Sequence, residues 1–108
     1  MANTFKLKTK ASVGGNTTGV YVVPGSTTTV VSGITASNVS GNNINVGIGI
    51  TRAASDDIHL MKNVPIPQGS SFEFMSGNKI VLETTDTITA KSDVANSLDV
   101  ALTIMEIT

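Results

Sequence analysis

The stretch from Val64 to Lys91, VPIPQGSSFEFMSGNKIVLETTDTITAK, admits little besides extended segments joined by tight turns. A proline drives the residue before it towards the β or polyproline region, so Pro65 and Pro67 bracket an extended piece. Gln68-Gly69-Ser70 turns the chain, and Phe72 and Phe74 then alternate with Ser71 and Glu73 at the two-residue period of a strand. Ser76-Gly77-Asn78 supplies residues that accept positive φ in a hairpin turn. Lys79 to Glu83 returns as KIVLE, and Thr84-Thr85-Asp86 turns into DTITAK, with Asp86 placed to accept backbone hydrogen bonds. The stretch predicts one continuous β-meander with Phe72, Phe74, Ile80, Leu82 and Ile88 as core candidates.

The remainder of the chain has the same texture. Thr4 to Val13 alternates, with Phe5, Leu7, Thr9 and Ala11 on one face and Lys6, Lys8, Lys10 and Ser12 on the other. Phe5, in the first set, reads as core. Three lysines on the second blunt a terminal edge against wrong pairing, so residues 1–12 form a basic edge strand or arm. Gly19 to Val23 is a short apolar strand closed by Pro24-Gly25. Thr27 to Asn38 and Ile44 to Arg52 flank the turn formers SNVSGNN and are expected as antiparallel neighbours, in a hairpin or a longer-looped corner. Ile44, Val46, Ile48 and Ile50 share one face of the second strand, and Asn45, Gly47, Gly49 and Thr51 the other. Glycines at alternate outward positions expose bare backbone, which implies close approach by another strand or loop, or by a neighbouring subunit. Ala53 to Asp57 turns, Ile58 to Met61 begins another strand, and Ser97 to Ile107 ends the chain with Leu98, Val100, Leu102 and Ile104 on one face and Met105 and Ile107 opposite. Eight or nine strands with close-spaced turns and no helical periodicity predict a single all-β domain over 1–108, an antiparallel β-sandwich whose jelly-roll or immunoglobulin-like topology is left open.

Composition narrows the function. Charged residues are 14% of the chain, against about 25% in typical globular domains. Thr, Ser and Asn stand where charges are missing, as on surfaces that pack against something. Residues 1–50 carry Lys6, Lys8 and Lys10 but no acid, and every Asp and Glu lies from Asp56 onward. Such asymmetry marks either a solvated terminal strand or a head-to-tail contact between copies. MANTFKLKTK lacks the apolar core of a secretory signal, and nothing approaches the roughly 18 apolar residues of a membrane span.

Chemistry finds little foothold. Cysteine is absent and His59 is the sole histidine, so thiolate metal sites and Ser-His-Asp constellations lack members. Asp56, Asp57 and His59 offer ligand atoms, but adjacent strand residues point to opposite faces. VGGNTTG (13–19) leads into a strand without a following lysine and is a loop, not a phosphate cradle. Nucleic-acid binding would need basic residues interleaved with exposed aromatics. The sequence thus predicts no enzyme, no cofactor and no metal, and argues against nucleic acid and membrane as partners.

Four pieces in order, SNVSGNNINVGIGITR, VPIPQGSSFEF, KIVLETTDTITAKS and LDVALTIMEI, carry a resemblance covering residues 20–108. Together they resemble small virion proteins of tailed bacteriophages, including those of cyanobacteria and other marine bacteria. Thr84-Thr85 departs from that pattern, where a smaller Ala-Gly-like turn is expected. The resemblance implies a non-enzymatic structural virion component, assembled in the host cytoplasm and working by surface contact in many copies. The first expectation is a head decoration or cement protein binding the major capsid protein and copies of itself. The runner-up is a tail or neck component, a tail-decorating or adaptor protein contacting tail proteins. A carbohydrate-binding receptor module is the alternative from another class, weakened because Tyr21 is the one Tyr or Trp available for sugar stacking. The expected partner contacts are Lys6, Lys8 and Lys10 on the terminal strand, and Asn45, Gly47 and Gly49 on the glycine-bearing face.

Overall fold

The computed structural model describes residues 3–52, 57–74 and 79–108. Residues 53–56 of the expected Ala53–Asp57 turn, the Ser76-Gly77-Asn78 turn and the side chain of Phe74 lie outside the described residues. Among the described residues there are nine strands: β1 (Asn3–Val13), β2 (Thr18–Val22), β3 (Thr28–Asn38), β4 (Ile44–Thr51), β5 (Ile58–Ile66), β6 (Ser71–Phe74), β7 (Ile80–Leu82), β8 (Thr87–Ser92) and β9 (Leu98–Ile107). They form a five-stranded sheet in the order β1-β9-β3-β6, with β7 also on β3, and a four-stranded sheet in the order β2-β8-β4-β5. All the pairings are antiparallel. The domain is an all-β sandwich.

The pairings nest. β1 lies on β9, β2 on β8, β3 on β6 and β7, and β4 on β5, as in one long hairpin with its tip between β4 and β5. Winding that hairpin adds the β3–β9 and β4–β8 contacts and closes the two sheets over each other. This order is the jelly roll, with β6 and β7 sharing one strand position, and it differs from the immunoglobulin arrangement.

Two expectations change here. Val64–Lys91 is no meander, because the chain passes from β5 in the four-stranded sheet to β6 and β7 in the other and back to β8. β6 and β7 do not pair as a hairpin. Both run antiparallel to β3 in succession, Ile34 opposite Phe74 and then Val31 opposite Ile80, so they are two parts of one interrupted edge strand. Likewise β3 and β4 are not hydrogen-bonded neighbours; residues 39–43 form the corner by which the chain changes sheets. Asn38 holds that corner. Its Nδ2 donates to the carbonyls of Asn42 (2.7 Å) and Ile66 (3.0 Å), while its Oδ1 accepts from the amide and hydroxyl of Ser40. Each cue is local, yet the nested topology depends on which sheet each strand joins, and alternation alone does not encode that.

The core between the sheets is aliphatic. Ile34, Ile44, Ile48, Ile66, Ile88, Leu82, Leu98, Leu102 and Ile104 are all but inaccessible. Leu82 and Ile88 are buried as expected and Ile80 is partly buried. Phe72 is not core: it lies opposite Ala36 on the edge strand and is 39% exposed. At that edge the facing sheet gives it incomplete cover.

Candidate interaction surfaces

β1 is an edge strand paired on one side to β9. Residues directly opposite in an antiparallel pair share a face. Lys6, Lys8 and Lys10 stand opposite Ile104, Leu102 and Val100, so the lysines occupy the inner face of the sheet. Phe5 and Leu7 face outward and are 76% and 66% exposed. The expected assignment of Phe5 to the core is therefore overturned. β1 lies at the rim of the sandwich, so cations on its inner face stay solvated while its apolar face has no cover.

One lysine is anchored. Lys6 Nζ lies 2.7 Å from Glu106 Oε1, and Glu106 is buried. The phenol of Tyr21, from the opposite sheet, donates to Glu106 Oε2 at 2.5 Å and lies 2.8 Å from Thr29 Oγ1. Thr29–Tyr21–Glu106–Lys6 is thus a polar clasp across one end of the sandwich, tying both sheets to β1. The hydrogen bonds from Lys6 and then Tyr21 hold the Glu106 carboxyl below its ordinary pKa, against the opposing effect of burial. Burial first, then the bond to Glu106, pushes the Tyr21 phenol up to about 12. Tyr21 is buried in this clasp, so it is no platform for a sugar ring, contrary to expectation. Part of the charge asymmetry is also resolved within the chain: the basic N-terminal strand meets a C-terminal acid because β1 pairs with β9. Among the described residues, no carboxylate lies within ion-pair distance of Lys8 or Lys10.

Asn45, Gly47 and Gly49 lie on the outer face of β4, inside the four-stranded sheet. The backbone amide and side-chain amide of Asn45 donate to Asp93 at 3.0 and 3.1 Å. A Cβ on Gly49 would sit 2.7 Å from the carbonyl oxygen of Ile58, while one on Gly47 would sit 3.5 Å from that of Met61. The close approach at Gly49 thus comes from the chain's own β5, where the register with β4 shifts. Gly47 has room. Together they leave the floor of a groove of about 400 Å³, whose walls include Asp57, His59, Lys62, Thr89, Lys91 and Asp93. Among the described residues, no Phe, Tyr or Trp lines it.

The outer face of the five-stranded sheet bears a feature that alternation alone does not reveal. Phe5 is opposite Met105, Met105 opposite Val30, and Val30 opposite Val81. This register lines up an apolar row across four strands, with Leu7 beside it. Val81 is 62% exposed, and Met105 and Val30 are half-buried. Asp99 and Glu73 supply charge on this face, and the outward positions of β1, β9 and β3 carry no lysine or arginine. The sequence held one hint of it: Met105 and Ile107 point away from the Leu98–Ile104 face.

No family model matches the chain, and no curated protein sequence matches it. Among solved structures, it is similar to a chain of the disulfide-linked pili that form Bacillus endospore appendages. That match has a TM-score of 0.58 and 13% identity, over 99% of this chain and 87% of the other. It is a likeness of fold. A second match, the pentameric capsid protein from metagenomic phage sequences, has a TM-score of 0.43 and 20% identity, over 92% of this chain and 59% of that one.

Proposed function

We propose that the chain is a non-enzymatic structural subunit of a tailed-bacteriophage particle, a head decoration or cement protein bound in many copies to the capsid lattice. The observation that carries this reading is the outer face of the five-stranded sheet, where an apolar row spans four strands with little charge around it. Contiguous exposed apolar surface on a small domain marks a place where another surface sits. Two further points support the reading: the resemblance of residues 20–108 to phage virion proteins, and the jelly roll, which viral capsid domains use. Lys8 and Lys10, which have no carboxylate within ion-pair distance among the described residues, offer cations at the rim to a partner surface.

Purified particles of a phage encoding the chain test the reading. Mass spectrometry and cryo-electron microscopy should find the protein on the head, in numbers that follow the capsomers. Its absence from the particle would overturn the reading; density on the tail or at the neck would move it to the tail-associated role. Reversing Lys8 and Lys10 to Glu should lower occupancy. Lys6 must be spared in that experiment, because its partner Glu106 is buried and reversal there would disturb the fold itself.

A further inference from the structure

We propose that residues 3–10 of β1 form an exchangeable arm, which leaves its own β9 and takes the same seat on β9 of a second copy. The arm contributes almost nothing to the core. From Asn3 to Ser12, Lys8 is half-buried and every other residue is exposed, on both faces of the strand. Val13, where the buried side chains begin, is fixed: its carbonyl accepts from Ser97 N at 3.1 Å, and that of Gly14 from Ser92 N at 3.0 Å. Between arm and anchor lies a break. Asn3 to Lys10 pair one for one with Ile107 to Val100, and the register then slips before Val13 meets Leu98. Ser12, inside the slip, takes φ 57°, in the left-handed region that is costly for a residue with a Cβ. Ala11 and Ser12 are thus a hinge, and extending the chain there relieves that strain.

What the arm leaves behind decides what replaces it. Opening bares the edge of β9, whose amides and carbonyls find water, but it also takes Lys6 from Glu106. The buried Glu106 would keep the Tyr21 phenol and lose the ammonium 2.7 Å away. A buried carboxylate stripped of its cation is costly. The empty seat therefore selects an extended segment that pairs antiparallel along β9 and sets a lysine opposite Ile104. β1 of a second copy meets both conditions residue for residue, and reciprocal exchange fills both seats. The same hydrogen bonds and the same ion pair form in either state. The swapped pair thus differs from two closed copies by hinge strain and by the cost of association. A short tether holds the arm near its own seat at an effective concentration on the order of millimolar, so exchange belongs to crowded assembly and the closed form to dilute solution.

The sequence contains no cysteine, so an engineered pair reports the exchange. Leu7 and Thr103 stand directly opposite each other and both are exposed. In Leu7→Cys/Thr103→Cys, oxidation at about 10 μM should join the two positions within one chain, because the tethered arm wins there. A mixture of isotope-labelled and unlabelled chains, equilibrated near about 1 mM before oxidation, should join position 7 of one chain to position 103 of another. Mass spectrometry of the linked peptides should find the share of such mixed-label links roughly tenfold higher than in the dilute sample. Adding Lys6→Gln should bring the mixture to that share up to about fivefold sooner, since opening no longer breaks an ion pair. Three results would overturn the inference: no mixed-label link between positions 7 and 103 near about 1 mM, links between two copies of position 7 as frequent as those to position 103, which is the pattern of surface collision, or a Lys6→Gln rate equal to that of the parent. If Leu7→Cys/Thr103→Cys unfolds by circular dichroism, Thr9→Cys/Ala101→Cys, the next facing pair on that side, takes its place with the same expectations. Failure here removes arm exchange alone, because occupancy on phage particles is measured separately and decides the assembly reading.

Discussion

β1 and β9 lie side by side in register, and both alternate aliphatic with polar residues, yet they bury opposite sets. In β9, Leu98, Val100, Leu102 and Ile104 face the core. In β1, Lys6, Lys8 and Lys10 share that same face, while Phe5 and Leu7 look out. Alternation fixes that a strand has two different faces; what lies across from each face decides which is inside. β9 runs through the middle of its sheet under the facing sheet, whereas β1 sits at the rim with one neighbour. There, inward lysines remain wet and guard the edge.

The largest expected effect tests this directly. Leu102→Ala should destabilise the fold by about 2–5 kcal/mol, as truncation of a fully buried leucine does. Leu7→Ala, one strand away, should stay within about 0.5 kcal/mol. Urea unfolding of the two variants provides the comparison. Equal costs would mean that β1 buries its apolar face after all.

Gly47 and Gly49 repeat the contrast within one strand. Both point outward from β4, and only the surroundings distinguish them. Gly49→Ala should cost about 1–3 kcal/mol, because its Cβ would lie 2.7 Å from the Ile58 carbonyl and backbone has to move. Gly47→Ala meets only an ordinary contact at 3.5 Å and should be neutral or gain up to about 1 kcal/mol through a less flexible unfolded chain. Thermal unfolding of both would show it, and a tolerated Gly49→Ala would mean that β5 is free to shift.

The clasp gives β1 its one firm hold, and it titrates from both sides. Glu106→Ala should cost about 1–3 kcal/mol by stripping the buried Tyr21 phenol of an acceptor. The folded pKa of Glu106 is lowered from 4.5, so its contribution is complete above the unfolded value and is lost as pH falls through the folded one. Tyr21 is raised from 10.0 to about 12, so its contribution is complete below 10.0 and is lost as pH climbs towards 12. Denaturant unfolding across pH should therefore be flatter at the acid end for Glu106→Gln and at the alkaline end for Tyr21→Phe. Unchanged slopes would mean that these groups do not sense folding.

These contrasts mark what was legible in the sequence. The strands were, because period-two alternation and turn residues are local; Ile44–Ile50 and Leu98–Ile104 read correctly as core faces. The Asp86 turn was legible for the same reason, and Asp86 Oδ2 accepts the Glu83 amide at 3.0 Å. Sheet membership was not, since β3 and β4 look like a hairpin until their corner is seen to change sheets. Nor was the apolar row, which exists only because Phe5, Met105, Val30 and Val81 come into one register from four strands. Of the expected contact residues, Lys6 and Asn45 are engaged within the chain and Gly49 is required by β5. Among the described residues, Lys8 acts within the chain only through its charge on Glu106, and Lys10 and Gly47 have no such hold.

The smallest effect sharpens the comparison from its other side, at a site where local conformation decides and neighbours matter little. Thr85 is exposed at the β7–β8 turn and adopts φ 73°. A β-branched residue in the left-handed region is strained, since its Cβ crowds the following carbonyl oxygen. The turn holds because Thr85 N donates to the Val23 carbonyl at 3.1 Å and Asp86 N to that of Glu83 at 3.0 Å. Neither bond needs the Thr85 side chain. Thr85→Gly relieves about 1–2 kcal/mol of strain and gives back part of it through a more flexible unfolded chain, for a net gain of about 0.5–1 kcal/mol. Denaturant midpoints of Thr85→Gly and wild type measure that gain. A loss instead would show that the side chain holds the turn, and that even here the surroundings outweigh the local backbone.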